Sequence, residues 1–304
     1  LQKEREMCLK LCLSILFLVM LISPATAGNY LIIPSPGDYG FRGSTAATIG
    51  KTRIGEDLIE QFFPFLNTVN TDLDEAEAEK LREERPDLLI VDADFTLHHS
   101  AEPGFLPELA PSSTPWHVLR TLPLQEYAKD TGADTSSVII FVIDTGVDAD
   151  HPDLRDRLEM PYAKRFHYVS GKGIISDDII DDQNGHGSEV TGTVIGTYTG
   201  VAPVLKVVPI RAASDSGDLS LSRLTAACDY IVGLKKGVLA DKRIIVNLSY
   251  NSDIFSTSQR AIAAFFQSIL TTFRENDILF VSPAGNNGAD VDSKYVYPPR
   301  NEYD

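Results

Sequence analysis

Asn184-Gly185-His186-Gly187-Ser188-Glu189-Val190-Thr191-Gly192 sets a histidine between two glycines, at the mouth of a run whose spacing predicts a helix over 188–198. Glycine on either side lets backbone and ligand come close to the imidazole. A histidine at a helix start lies at the positive end of the peptide dipoles, which predicts a lowered pKa and a neutral, proton-accepting ring. Such a base needs a carboxylate behind it, a nucleophile before it and donors for an oxyanion. Upstream, 138–142 is an unbroken apolar run, as in a strand buried on both faces. It leads into Val142-Ile143-Asp144-Thr145-Gly146-Val147-Asp148. A carboxylate at the end of a buried strand is held rigidly. Asp144 can therefore accept the Nδ1 proton of His186, fix its tautomer and stabilise the imidazolium. The plainer reading of Asp-Thr-Gly is a turn aspartate bonded to its own backbone.

Beyond the histidine, strands and helices alternate. Residues 206–210, 244–248 and 278–282 read as strands, and 219–236 and 256–274 as amphipathic helices. That rhythm predicts an α/β fold, a parallel sheet with helices on both faces. Asp144, Asn247, Ser249 and Asn286 lie at or just after strand ends, where open α/β sheets place their sites. The N-terminal region differs: strand 29–33, helix 55–66, strand 68–72, a highly charged helix 74–85 and strand 88–91 predict a small α+β unit. Residues 101–115 are rich in proline and serine and read as an exposed linker.

Composition bounds the function. The chain has 304 residues, 43 acidic against 27 basic, for a net charge of −16, which argues against a nucleic-acid partner. Met7, Lys10, the apolar run 11–22 and Ser23-Pro24-Ala25-Thr26-Ala27 read as a secretory signal cleaved after Ala27. A signal predicts an extracellular protein with no membrane contact once it is removed; the run is too short to span a bilayer. Cys8 and Cys12 leave with it, so Cys228 stands without a disulfide partner and reads as a small buried apolar residue.

Taken in order, Asp144, His151-Pro152-Asp153-Leu154 and the Asn-Gly-His-Gly run resemble the subtilisin-like serine proteases, the subtilases. Their aspartate segment reads Asp-Thr-Gly-Val-Asp…His-Pro-Asp-Leu, their histidine segment Gly-His-Gly-Thr-His-Val-Ala-Gly, and their order Asp, His, Ser is that of subtilisin itself. Here Ser188, Glu189 and Thr191 replace the Thr, second His and Ala. Asn247-Leu248-Ser249-Tyr250 is similar to the family's Asn-Met-Ser-Leu-Gly-Gly strand, with Asn251 and Ser252 at the two glycines. The resemblance makes Asn247, Ser249 and Tyr250 substrate-binding. Ser282-Pro283-Ala284-Gly285-Asn286-Asn287-Gly288 looks like the oxyanion segment, which implies Asn286 as the donor and Gly285 beside the substrate. Helix 73–81 and the following strand look like the family's inhibitory propeptide. The implied division is 1–27 signal, 28–112 propeptide and linker, and 113–304 an incomplete peptidase domain. The family's nucleophile lies in Gly-Thr-Ser-Met-Ala; the nearest match, Gly43-Ser44-Thr45-Ala46-Ala47, falls in the wrong region. The expectation is a secreted serine endopeptidase precursor, monomeric and acting on protein or peptide, truncated before its serine and inactive as it stands. The alternative is a non-catalytic pseudoprotease or propeptide-type protease inhibitor. No cofactor is expected; a calcium site of the subtilisin kind through Asp153 stays open.

Three rival patterns carry less. Leu88-Leu89-Ile90-Val91-Asp92-Ala93-Asp94-Phe95-Thr96 mimics a haloacid-dehalogenase-like phosphatase motif, but no lysine and paired-acid motifs follow it. Asp144-Thr145-Gly146 with Asp215-Ser216-Gly217 mimics an aspartic protease dyad, which needs an all-β fold. His98, His99, His117 and His167 are scattered and read as surface residues rather than zinc ligands.

Overall fold

The computed structural model describes residues 28–34, 59–99, 117–118, 120, 135–170, 172–253, 259–286 and 296–297. The first unit contains β1 (Gly28–Pro34), β2 (Ile59–Phe63), β3 (Thr68–Leu73), α1 (Glu75–Glu84), β4 (Leu88–Asp92) and a short β5 (Thr96–His98). The second runs β6 (Val138–Asp144), β7 (Lys164–Val169), β8 (Gly173–Asp177), α2 (His186–Ile195), β9 (Lys206–Arg211) and β10 (Asp218–Ser220). It continues with α3 (Leu221–Lys236), β11 (Arg243–Leu248), β12 (Ser252–Asp253), α4 (Gln259–Glu275), β13 (Ile278–Val281) and β14 (Val296–Tyr297).

In the second unit, six strands form one sheet in the order β13-β11-β6-β9-β7-β8. β6 pairs in parallel with β9 on one side and β11 on the other. That central place accounts for its continuous apolar run. Ile139, Phe141 and Ile143 pack into the core shared with α3 and α4, while Ile140 and Val142 pack on the opposite face near α2. The expected α/β sheet with helices on both faces is thus present. The β7–β8 hairpin adds an antiparallel edge strand that periodicity did not disclose.

The first unit is an antiparallel sheet, β2-β3-β1-β4. Alternation along β1 divides its side chains: Tyr30 and Ile32 pack with Ala78 and Leu81 of α1, Leu31 and Ile33 with the core of the second unit. Both faces are therefore covered. Helix α1 begins at Asp74, whose carboxylate accepts the Glu77 N–H at 2.8 Å while Glu77 reaches back to the Asp74 N–H at 2.9 Å. This capping box fixes the start that the sequence indicates.

The helix expected over 55–66 is corrected. Residues 59–63 form β2, paired antiparallel with β3 from Phe63↔Thr68 onward, and 55–58 lie outside the described residues. Leu58, Ile59, Phe62 and Phe63 fit a helical stripe, but a turn through Asn67, held at φ +51°, returns the chain along itself. Pairing with β3 then outweighs the local spacing. The boundaries expected at 27 and 112, the signal and the linker also lie outside the described residues.

The units meet at α3. Asp229 is buried there, and its Oδ1 accepts the Phe65 N–H at 2.7 Å and the Leu66 N–H at 3.0 Å. Two backbone donors of the turn after β2 thereby find an acceptor on the other unit. Asp229→Ala would leave both without their acceptor, the Leu66 N–H buried and the Phe65 N–H half-buried. We expect a loss of about 2 kcal/mol, read as a lower urea midpoint at unchanged slope.

Candidate active site

Asp144 is the last residue of β6 and is 1% exposed. Burial of a carboxylate is costly unless donors surround it. Its Oδ1 accepts the Thr145 N–H at 2.7 Å and lies 2.8 Å from His186 Nδ1. The predicted pairing of strand-end carboxylate and helix-start imidazole is therefore formed. Gly187 makes it sterically feasible: a Cβ there would stand 2.2 Å from the Gly146 carbonyl oxygen and 3.2 Å from Asp144 Cβ. Helix α2 can start against the β6 turn only with no side chain at that position.

The expected direction of the His186 pKa is corrected. Burial pulls it down, but the bond to Asp144 and the charges of Asp144, Glu189 and Asp182 outweigh burial and hold it above the ordinary histidine value. The carboxylates near the ring prevail over the helix position. Helix α2 also differs in extent, starting at His186 itself and ending at Ile195.

Asp182 organises this corner. Its Oδ1 accepts from Asn184 N–H, Gly185 N–H and the Thr145 hydroxyl, and its Oδ2 from both the N–H and the hydroxyl of Ser188. Burial raises its pKa, and these donors more than reverse that, leaving it below the usual carboxylate range. Gly185, the residue before α2, has no side chain to cap the helix, so Asp182 serves from three residues upstream. The acidic stretch 177–184 was the available signal. Its role is to receive backbone donors. Ser188, bonded to Asp182 and accepting the Asp148 N–H at 2.9 Å, is a scaffold hydroxyl.

The remaining candidates sit along the same carboxyl edge of the sheet. Asn247 ends β11 next to Leu248, and its Nδ2 donates to Ser249 Oγ at 2.9 Å. Tyr250 is fully buried, with its ring edge-on to His186 at 5.8 Å between centroids. Burial and the nearby charges of Asp144 and Asp182 push its phenol far above the ordinary value, so it stays neutral. Gly285, at φ +91°, and the exposed Asn286 follow β13. Cys228 is buried in α3 with its thiol pushed up by burial, which excludes it as a nucleophile.

His99 departs most from expectation. Read as a surface residue, it instead stacks on His186, with ring centroids 4.4 Å apart and planes at 22°. The mimicry by Asp92-Ala93-Asp94-Phe95-Thr96 also resolves. Asp92 Oδ1 accepts the Asp94 N–H and Thr96 Oγ1 donates to the Asp94 carbonyl, so the motif is a turn that steers β5 toward His186. Asp215 pairs with Arg211 at 2.6 Å, so it forms no dyad with Asp144.

A buried aspartate at the end of a central parallel strand, bonded to a histidine at the following helix start, is the pattern on which the sequence resemblance rests. The sequence model of the subtilase family matches residues 135–302, more than half of the chain. This chain belongs to the subtilase family. Among its relatives, Proteinase R of Parengyodontium album is 26% identical over 234 residues, covering 76% of this chain and 52% of that protein. Alkaline serine protease ver112 of Corniculantispora psalliotae is 24% identical over 272 residues, covering 87% and 62%. The epidermin leader peptide processing serine protease of Staphylococcus aureus superposes with a TM-score of 0.62 at 20% identity, over 86% of this chain and 61% of that one, and shares the fold. The chain thus spans about half the length of the curated relatives it matches.

Two measurements test the site. Because His186 is held above its ordinary value of 6.5, its pairing with Asp144 contributes stability that is full below that pH and lost as pH rises through the raised value. Asp144→Asn should return the His186 titration, followed by NMR, toward or below 6.5, and flatten that part of the stability profile. Asp182→Ala removes an acceptor of five donors and should cost about 3 kcal/mol, with backbone amides 184–188 losing hydrogen-exchange protection first.

Proposed function

We propose that this subtilase is the precursor of a secreted serine endopeptidase, with Asp144 and His186 as two members of an Asp-His-Ser triad. The 2.8 Å contact between them, within the region the family model matches, carries the reading. In this reading Asp144 keeps the proton on His186 Nδ1, leaving Nε2 to take the proton of a serine hydroxyl as it attacks a peptide carbonyl. The imidazolium then hands that proton to the leaving amine. Asn286 donates to the oxyanion, and Asn247, Ser249, Tyr250 and Gly285 border the substrate. The nucleophile of this reading belongs to a Gly-Thr-Ser-Met-Ala segment, which residues 1–304 do not contain.

The first unit acts in this reading as an intramolecular inhibitory propeptide. Support comes from β5, which runs into the cleft and places His99 against His186. The signal expected at 1–27 directs the product out of the cell. Among the described residues no helix is long and apolar enough to cross a membrane.

The deciding experiment uses the full-length gene product. After release of the first unit, a fluorophosphonate probe should label one serine, and His186→Ala should abolish labelling. A product with no reactive serine would end the endopeptidase reading and leave the inhibitor or pseudoprotease role.

A further inference from the structure

β5 is held on both edges. It pairs antiparallel with β10, in the register Thr96↔Ser220, Leu97↔Leu219 and His98↔Asp218. On its other side, the His98 N–H donates to the Asn251 carbonyl at 3.0 Å and the Asn251 N–H to the His98 carbonyl at 3.2 Å. Just before it, the Phe95 carbonyl accepts the Leu221 N–H at 3.1 Å. An extended segment of the first unit is thus the middle member of a three-membered antiparallel patch whose outer members belong to the second. Main-chain bonds of this kind hold any sequence; selectivity comes from the side chains that alternate along the strand.

Those side chains differ sharply. Leu97 is 0% exposed and lies in the same core as Leu219, Leu248 and Tyr250. His98 points outward, exposed, its Nδ1 3.0 Å from Asp218 Oδ1, an exposed pair of small energetic consequence. His99 turns back inward. Its ring lies on the His186 ring at 4.4 Å and meets the Tyr250 ring edge-on at 6.0 Å. A Cβ at Gly217 would stand 2.3 Å from His99 Nε2, and Gly217 is held at φ +89°, where a side chain is strained in any case. His186, Tyr250 and the bare backbone of Gly217 thus bound a slot that admits a flat ring.

We propose that this cleft selects extended peptides by a leucine followed, two residues later, by a flat-ring residue, and that Gly217 is the residue that sets the second preference. The inference rests on the endopeptidase reading and gives it a substrate class: peptide resembling Thr-Leu-His-His, which the chain presents to itself. The outward position between the two anchors is unselective. A charged side chain in place of the leucine is rejected, because it would be buried without a partner.

The 304-residue chain itself permits the test, with no nucleophile required. Hydrogen exchange at the His98 and Asn251 amides reports whether the segment is seated. Leu97→Ala, His99→Ala and Gly217→Ala should each speed that exchange about tenfold or more, whereas His99→Phe and His98→Ala should leave it near wild type. A second measurement uses the double variant Leu97→Lys, His99→Ala, which vacates the cleft. Fluorescein-labelled Phe-Thr-Leu-His-His should bind it, followed by anisotropy, about tenfold or more tightly than Phe-Thr-Leu-His-Ala or Phe-Thr-Ala-His-His. Equal binding of the three peptides, or a loss from His98→Ala as large as that from His99→Ala, overturns the proposal. Either result leaves the fluorophosphonate outcome untouched, and a missing reactive serine would leave the exchange pattern untouched, so the two readings fail separately.

Discussion

A carboxylate buried at the end of the central strand is the constraint around which the second unit is arranged. Asp144 cannot be placed there, 1% exposed, without donors at hand. The Thr145 N–H and the His186 imidazole supply them at Oδ1, and each has to be positioned in turn. The parallel pairing of β6 with β9 and β11 fixes where the carboxylate emerges. Gly187 lets the next helix start close enough for the imidazole to reach it. Asp182 then gathers the loop before that helix by accepting donors from Thr145, Asn184, Gly185 and Ser188. The electrostatic result is a histidine held above its ordinary pKa, since carboxylates around it outweigh its burial.

The first unit is joined to this arrangement in two different ways. Across the broad face the contact is apolar and extensive: Leu31, Ile33 and Val91 share one core with α3 and α4. Asp229 adds a polar anchor by taking the two turn N–H groups after β2. At the cleft, by contrast, β5 is held by main-chain ladders with one buried leucine and one stacked ring. The broad face supplies affinity without regard to the cleft, and the strand supplies register. A segment so held lays its His99 ring on the His186 imidazole and covers it.

The family's motifs were readable because they are local. Asp144, His186 and the apolar run of β6 are each fixed by a few consecutive residues, and the alternation of strands and helices after them specifies a parallel sheet. The capping box at Asp74 and Glu77 is local in the same sense. Where reading failed, contacts distant in sequence had decided. Residues 59–63 carry apolar positions that satisfy a helix, yet they pair with β3 after a turn at Asn67. The β7–β8 hairpin likewise draws its identity from its place beside β9.

The sequence by itself determined the sheet, the Asp–His pair and the helix that carries the histidine, because hydrophobic period, glycine placement and strand-end polarity are properties of short stretches. Only the tertiary structure decided the roles of Asp182 and His99. An aspartate in an acidic loop and a histidine beyond a short strand have no distinguishing neighbours in the chain. Asp182 acquires its function from donors that four different residues bring together, and His99 from a ring 87 positions away, brought within stacking distance when β5 is zipped against β10.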